Sequence, residues 1–234
     1  MAIDNIYKPT DKLSDLIADN FSLLMVMSRF GIALGFGDKT VQEVCKAEKV
    51  DCDTFLAVAN FINSDQTSFS IEELPALSVE SLMAYLKSAH TYFLDFSLPL
   101  LRRKLLEAID CSGDSNVTFL IFKFFDQLVK EVREHMQYEN EHVFTYVEDL
   151  LKGKVSKKFN ITQFAQHHSK IDDLLSELKN IIIKYYTESS DNYLLNAALF
   201  DIFSCEQDLA SHNQVEDCLF VPAVMLVEKR LANG

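Results

Sequence analysis

Apolar residues recur at intervals of three and four along most of the chain, the period of one face of an α-helix and not the alternation of a half-buried strand. Short periodic stretches come first: Leu13 to Leu24, then Thr40 to Lys46 beyond the Gly31 to Gly37 stretch, then Thr54 to Ile62 behind Asp53, which reads as an N-cap. A polar segment from Asn63 to Ser78, carrying Pro75, breaks the pattern. Four long stretches follow. The first runs from about Val79 to Asp110 and closes at Cys111-Ser-Gly-Asp; the second runs from about Asn116 to Leu151 and closes at Lys152-Gly153. The third opens on Asn160-Ile-Thr-Gln163, which matches a capping box, and extends to about Thr187. The fourth begins near Asp191 and is stopped or kinked near Val221 by Pro222, with a short terminal helix beyond it. The expected architecture is therefore all-α: a small helical domain over 1–62, a linker over 63–78, and an antiparallel up-down four-helix bundle over 79–234. Only six Gly and four Pro in 234 residues agree with few tight turns and long regular elements.

The histidines carry the chemistry. His135-x3-Glu139 and His212-x3-Glu216 share one spacing, and each is preceded by an upstream histidine, His90 and His168, at 45 and 44 residues. The chain thus reads as two helical hairpins built alike. Helical spacing puts His90 with Leu82, Leu86, Phe93 and Leu101, and His135 with Phe125, Leu128, Val132 and Val143; His168 falls with Phe164, Ile171 and Leu175, and His212 with Ile202, Leu209, Val215 and Leu219. All four are expected to point inward, together with Glu139 and Glu216 one turn after a histidine, Glu131 and Asp208 one turn before, and Asp172 after His168. Desolvating so many polar groups costs several kcal/mol or more unless a cation compensates. Four imidazoles and two carboxylates suit a pair of transition-metal ions, with Glu131, Asp208 and Asp172 as candidate acceptors for histidine N–H groups. On the fourth helix Glu216 is preferred over Asp217 as the bridging acid, because position i+4 lies about 40° from His212 around the helix and i+5 about 140°. His142 is assigned to the surface or a helix end, and His167, about 100° around from His168, to a bystander position.

The net charge of −13 disfavours nucleic acid or an anionic membrane surface as a partner. No apolar run approaches the roughly 20 residues of a membrane span, and the N-terminus lacks the basic start and apolar core of a signal peptide. Five scattered cysteines without a CxxC suit reduced thiols, so a cytoplasmic protein is expected.

The Ala89-His90-Thr-Tyr-Phe-Leu-Asp-Phe-Ser-Leu-Pro99 stretch, His135-Met-Gln-Tyr-Glu139 running to Phe144, His168, and His212-Asn-Gln-Val-Glu216 running into Pro222 resemble the hemerythrin-like domain of the repair-of-iron-centres family. The N-terminal segment resembles the small domain that precedes it there. The resemblance implies two non-haem iron ions, oxo- or hydroxo-bridged, and a role in recovering iron–sulfur clusters after nitrosative or oxidative stress, with nitric oxide or oxygen as small ligands and damaged iron–sulfur proteins as partners. Two departures stand out. The family's small domain carries a Cys-Cys-Gly-Gly motif where this chain has Leu34-Gly35-Phe36-Gly37, and oxygen-carrying hemerythrins place a histidine where this chain has Asp172. Two octahedral ions offer about twelve coordination positions, of which four imidazoles and two bridging carboxylates fill eight. A site so open suits reaction with nitric oxide or oxygen, or release of iron, better than simple oxygen carriage. The alternative is an oxygen or nitric oxide sensor that signals to a partner protein, and an iron store or donor and a homodimer stay open.

Overall fold

A computed structural model describes residues 7–64, 77–109, 116–154, 160–163, 169–187 and 192–233. Most of the polar segment before Ser78, the Cys111 to Asp114 turn, His167 and His168 lie outside the described residues. Among those described, every regular element is helical. The small elements are α1 (Leu13–Asp19), α2 (Leu23–Arg29), α3 (Val41–Glu48) and α4 (Cys52–Asn63). They are followed by α5 (Val79–Thr91) and α6 (Leu98–Ala108), α7 (Asn116–Tyr138) and α8 (Phe144–Leu151), α9 (Ser169–Tyr185), and α10 (Asn192–Val215) and α11 (Val221–Asn233). No described helix is long and apolar enough to cross a membrane.

Local chemistry explains most boundaries. Thr40 caps α3 through a full capping box, its Oγ1 accepting from Glu43 N–H while the Glu43 carboxylate accepts from Thr40 N–H. Lys49, at φ 59°, ends α3 in the left-handed conformation. The chain has therefore finished its turn by Asp51, and Asp51, not the expected Asp53, caps α4 by accepting from Thr54 N–H at 2.9 Å. Likewise Leu13 to Leu24 is not one helix: Asn20, in extended backbone, separates α1 from α2. Gly153 closes α8 at φ +78°, a conformation that side chains with a Cβ resist, as the Lys152-Gly153 signal suggests. The Asn160 box forms differently. Its Oδ1 accepts from the Thr162 hydroxyl, and Ile161–Gln163 is a 3-10 turn.

The chain divides into two compact units, one of residues 1–89, 146–165 and 211–234 and the other of 90–145 and 166–210. The first has a core of Leu13, Leu23, Met27, Phe55, Leu82, Tyr85, Leu86, Val147, Phe220 and Val224. Phe30 packs against both Phe55 and Tyr85, and the buried Arg29 guanidinium reaches Tyr85 through its hydroxyl at 3.4 Å. Glu228 accepts both the Tyr146 hydroxyl at 2.6 Å and the Ile161 N–H at 3.0 Å, tying α11 to α8 and to the 3-10 turn. The second unit is centred on α7 packed along α9, with Phe125, Leu128, Val132, Leu175, Leu178, Ile202 and Leu209 buried. Lys104 pairs with Asp201 and Lys179 with Glu206 at its surface.

Among the described residues three π turns interrupt the long helices: Tyr92–Ser97 between α5 and α6, Glu139–Val143 between α7 and α8, and Glu216–Phe220 between α10 and α11. Each is marked by an N–H reaching five residues back, from Leu98 to Phe93, Phe144 to Glu139 and Val221 to Glu216. Two of them precede a proline, Pro99 and Pro222, whose ring would clash with the carbonyl four residues back in a regular helix. Widening the turn lets the helix run on, which is why Pro222 neither stops α10 nor separates α11 from it. The middle π turn has no proline nearby. What all three share is a position just after His90, His135 or His212.

The two faces of α7 should respond oppositely to truncation. Phe125→Ala, at a fully buried position, is expected to lower unfolding free energy by roughly 3–5 kcal/mol, whereas Phe119→Ala, at a position 66% exposed, should change it by less than about 0.5 kcal/mol in denaturant titrations.

Candidate metal centre

Within the second unit three predicted side chains meet. His90 lies in the last turn of α5, His135 in the last turn of α7, and Glu139 opens the π turn that follows. Four residues after His135 on a continuous helix, Glu139 stands on the same face. Its Oε1 lies 2.7 Å from His135 Nε2 and its Oε2 lies 3.0 Å from His90 Nε2, so each carboxylate oxygen faces one imidazole. The Glu139 side chain is fully buried, His90 very nearly so, and His135 is 11% exposed. Phe144, the first residue after the π turn, stacks on the His90 ring at 5.5 Å between centroids, and Asn140 Oδ1 lies 3.1 Å from His90 Nδ1.

Burial by itself would raise the Glu139 carboxyl, since a desolvated carboxylate is costly. The hydrogen-bonding imidazoles of His135 and then His90 reverse that and hold the group well below the ordinary carboxylate range. Glu139 is thus an anion in a buried place, with positive charge required at the nitrogens around it. Protons can supply that charge, and so can a cation seated between an imidazole lone pair and a carboxylate oxygen. Imidazole nitrogen and carboxylate oxygen are the donor set of borderline and hard divalent ions, and these residues fit a metal on that ground.

The first unit holds the second motif. His212 in α10 and Glu216 at the start of the following π turn are both fully buried, one turn apart on one helix face. Asp217, the rival acid, is exposed. The extra residue of the π turn comes after Glu216 and not before it, so the i+4 relation to His212 is that of an ordinary α-helix. His168 lies outside the described residues. The remaining candidates sit further out. Glu131 is half-buried with its carboxylate turned to Gln127 and Lys170, each at 2.6 Å, Asp208 is half-buried, and Asp172 is exposed in the first turn of α9. His142 is exposed and lies edge-on to Tyr138. Helical periodicity missed Asn140 and Phe144, because the π turn rotates the residues that follow it away from their α-helical positions.

The small helices hold a contact of their own. Cys45 in α3 and Cys52 at the start of α4 hydrogen-bond through their thiols, although seven positions separate them in the chain. Burial first, and the neighbouring Cys52 second, push the Cys45 thiol up to about 12, and burial raises Cys52 as well. Both are protonated at neutral pH and are poor nucleophiles there.

A family model described as the hemerythrin HHE cation binding domain matches residues 81–224, a span that includes His90, His135, Glu139, His168, His212 and Glu216. No curated protein matches the chain.

Two measurements check this account of the site. Glu139→Ala should destabilise the metal-free protein by roughly 3–5 kcal/mol in urea unfolding, because it strips the buried His90 and the partly buried His135 of the carboxylate they face; a loss under about 1 kcal/mol would show that the carboxylate is not held this way. Alkylation of native Cys45 by iodoacetamide should be very slow at pH 7 and speed up about tenfold per pH unit toward alkaline pH, since only the thiolate reacts.

Proposed function

Because the chain belongs to the hemerythrin HHE cation-binding family, we propose that it is a non-haem di-iron protein, with His90, His135, His168 and His212 as terminal ligands and Glu139 and Glu216 as bridges. The observation that carries this reading is the Glu139 carboxylate, with one oxygen turned to His135 and the other to His90. A carboxylate so placed can hold two ions at once, each also facing an imidazole. The second His-x3-Glu motif, His212 with Glu216, repeats the same spacing and following π turn with both side chains fully buried, which supports assigning it the equivalent role. When bound, the iron pair would supply open coordination positions and one-electron redox chemistry.

The resemblance to the repair-of-iron-centres family extends the proposal to a biological role. The protein acts in the cytoplasm in the response to nitrosative or oxidative stress, by taking up nitric oxide or oxygen or by supplying iron to damaged iron–sulfur proteins. The side chains around the site make it selective for small ligands. Phe144 stacked on the His90 ring and the fully buried Glu139 carboxylate favour a diatomic over a larger substrate. A second reading, a sensor that signals to a partner protein, is favoured by one feature. Leu34 is 73% exposed where the family's small domain has a cysteine, so this segment offers an apolar contact in place of thiol chemistry.

Anaerobically purified protein is expected to contain about two irons per chain by elemental analysis, and its absorption spectrum should change on titration with nitric oxide. His135→Ala and His212→Ala should each lose most of the metal and melt at lower temperature, because the ions offset buried polar groups. Full iron content in both variants would sink the assignment. A spectrum indifferent to both nitric oxide and oxygen would leave the iron-donor role and remove the sensor.

A further inference from the structure

His90 is gripped at both ring nitrogens by consecutive residues of one turn. Glu139 Oε2 lies 3.0 Å from Nε2 and Asn140 Oδ1 lies 3.1 Å from Nδ1, while Phe144 covers one face of the ring. Neighbouring side chains on an α-helix diverge by about 100° and rarely reach the same small group. The Glu139–Val143 segment is a π turn, wider and with more residues per turn, so Glu139 and Asn140 diverge less. The turn that no proline explains thus has a consequence at the site: it lets two successive residues address one imidazole.

An imidazole has one lone pair to give a metal, and it can give it only from the nitrogen that carries no proton. With oxygen acceptors at both nitrogens, the ring must either carry two protons or have a cation in place of one of them. We propose that Asn140 is a positioning residue for the metal centre: its Oδ1 accepts the Nδ1–H of His90, so that the Nε2 lone pair is turned toward Glu139, where an ion would sit. The inference rests on the metal-binding reading above. The acceptor is a neutral amide. A carboxylate in its place would draw the Nδ1 proton more strongly and make the ring a more electron-rich ligand, whereas the amide fixes the tautomer without adding a second negative charge beside the buried Glu139. Asn140 itself is exposed, so replacing it disturbs no packing.

The test uses the full chain loaded with cobalt(II) as the probe metal, without oxygen, with affinity read by chelator competition and ligand geometry by the visible d–d bands. Wild type should bind. Asn140→Leu, which offers no acceptor, should bind at least one ion 10–100-fold more weakly with altered bands, while the metal-free variant melts within about 2 °C of wild type. Asn140→Asp, which restores an acceptor, should recover the affinity. In zinc-loaded wild type, nitrogen-15 spectra of the histidines should show the His90 proton on Nδ1. Wild-type affinity and bands in Asn140→Leu, failure of Asn140→Asp to rescue, or a proton on Nε2 of His90 would each overturn the role of Asn140 and leave the metal site standing. No cobalt or zinc binding by wild type would instead overturn the metal reading and this inference with it.

Discussion

A carboxylate with no solvent exposure sits between two imidazoles, and the surroundings of the site are arranged around that fact. An isolated anion in such a place would cost several kcal/mol. It is tolerable only while positive charge is held at the facing nitrogens. This requirement explains why His135 occupies the position one helical turn before Glu139 and why His90 is brought against the other oxygen. Phe144 and Val143, which follow in the same stretch of chain, are buried as well. A cation meets the same requirement as protons do.

The π turns are the structural counterpart of that chemistry. A regular helix can present one residue per turn along a line, which suffices for a histidine and an acid four apart. It cannot at once bring the next residue round to the same partner. Inserting one residue into the turn makes that possible at Glu139 and Asn140, and it puts Phe144 against the His90 ring. The cost is a local loss of regular hydrogen bonding, accepted three times among the described residues and each time just after a histidine. Proline accounts for two of those places and the middle one stands without it, which ties the distortion to the site and not to helix continuity alone.

The small N-terminal helices obey more ordinary rules. Their capping residues, Thr40 and Asp51, and the left-handed Lys49 set the path of the chain, and aromatic packing of Phe30 on Phe55 and Tyr85 fastens α2 to α4 and α5. The path also creates a thiol contact between Cys45 and Cys52 that no motif announces. Burial keeps both thiols protonated at neutral pH.

The sequence by itself determined the helical class, the four long periodic segments and the identities of the histidines and acids, because a 3.6-residue period and a fixed i+4 spacing are one-dimensional properties. The i+4 spacing put His135 and Glu139, and His212 and Glu216, on one helix face each, and in the structure Glu216 is buried while Asp217 is exposed. The family match over residues 81–224 agrees with that pattern. Two boundary readings failed for a local reason: Asp53 is a good cap in composition, but the left-handed Lys49 had already ended the preceding helix, and Asn20 broke a segment whose apolar period ran through it. Asp172 is exposed in the first turn of α9, next to the buried Ile171. Tertiary structure alone decided what His90 touches. Its contacts with Glu139, Asn140 and Phe144 join positions about 50 residues apart through a turn of unusual width, and neither a long-range contact nor a one-residue change of helical pitch leaves a periodic trace in the chain.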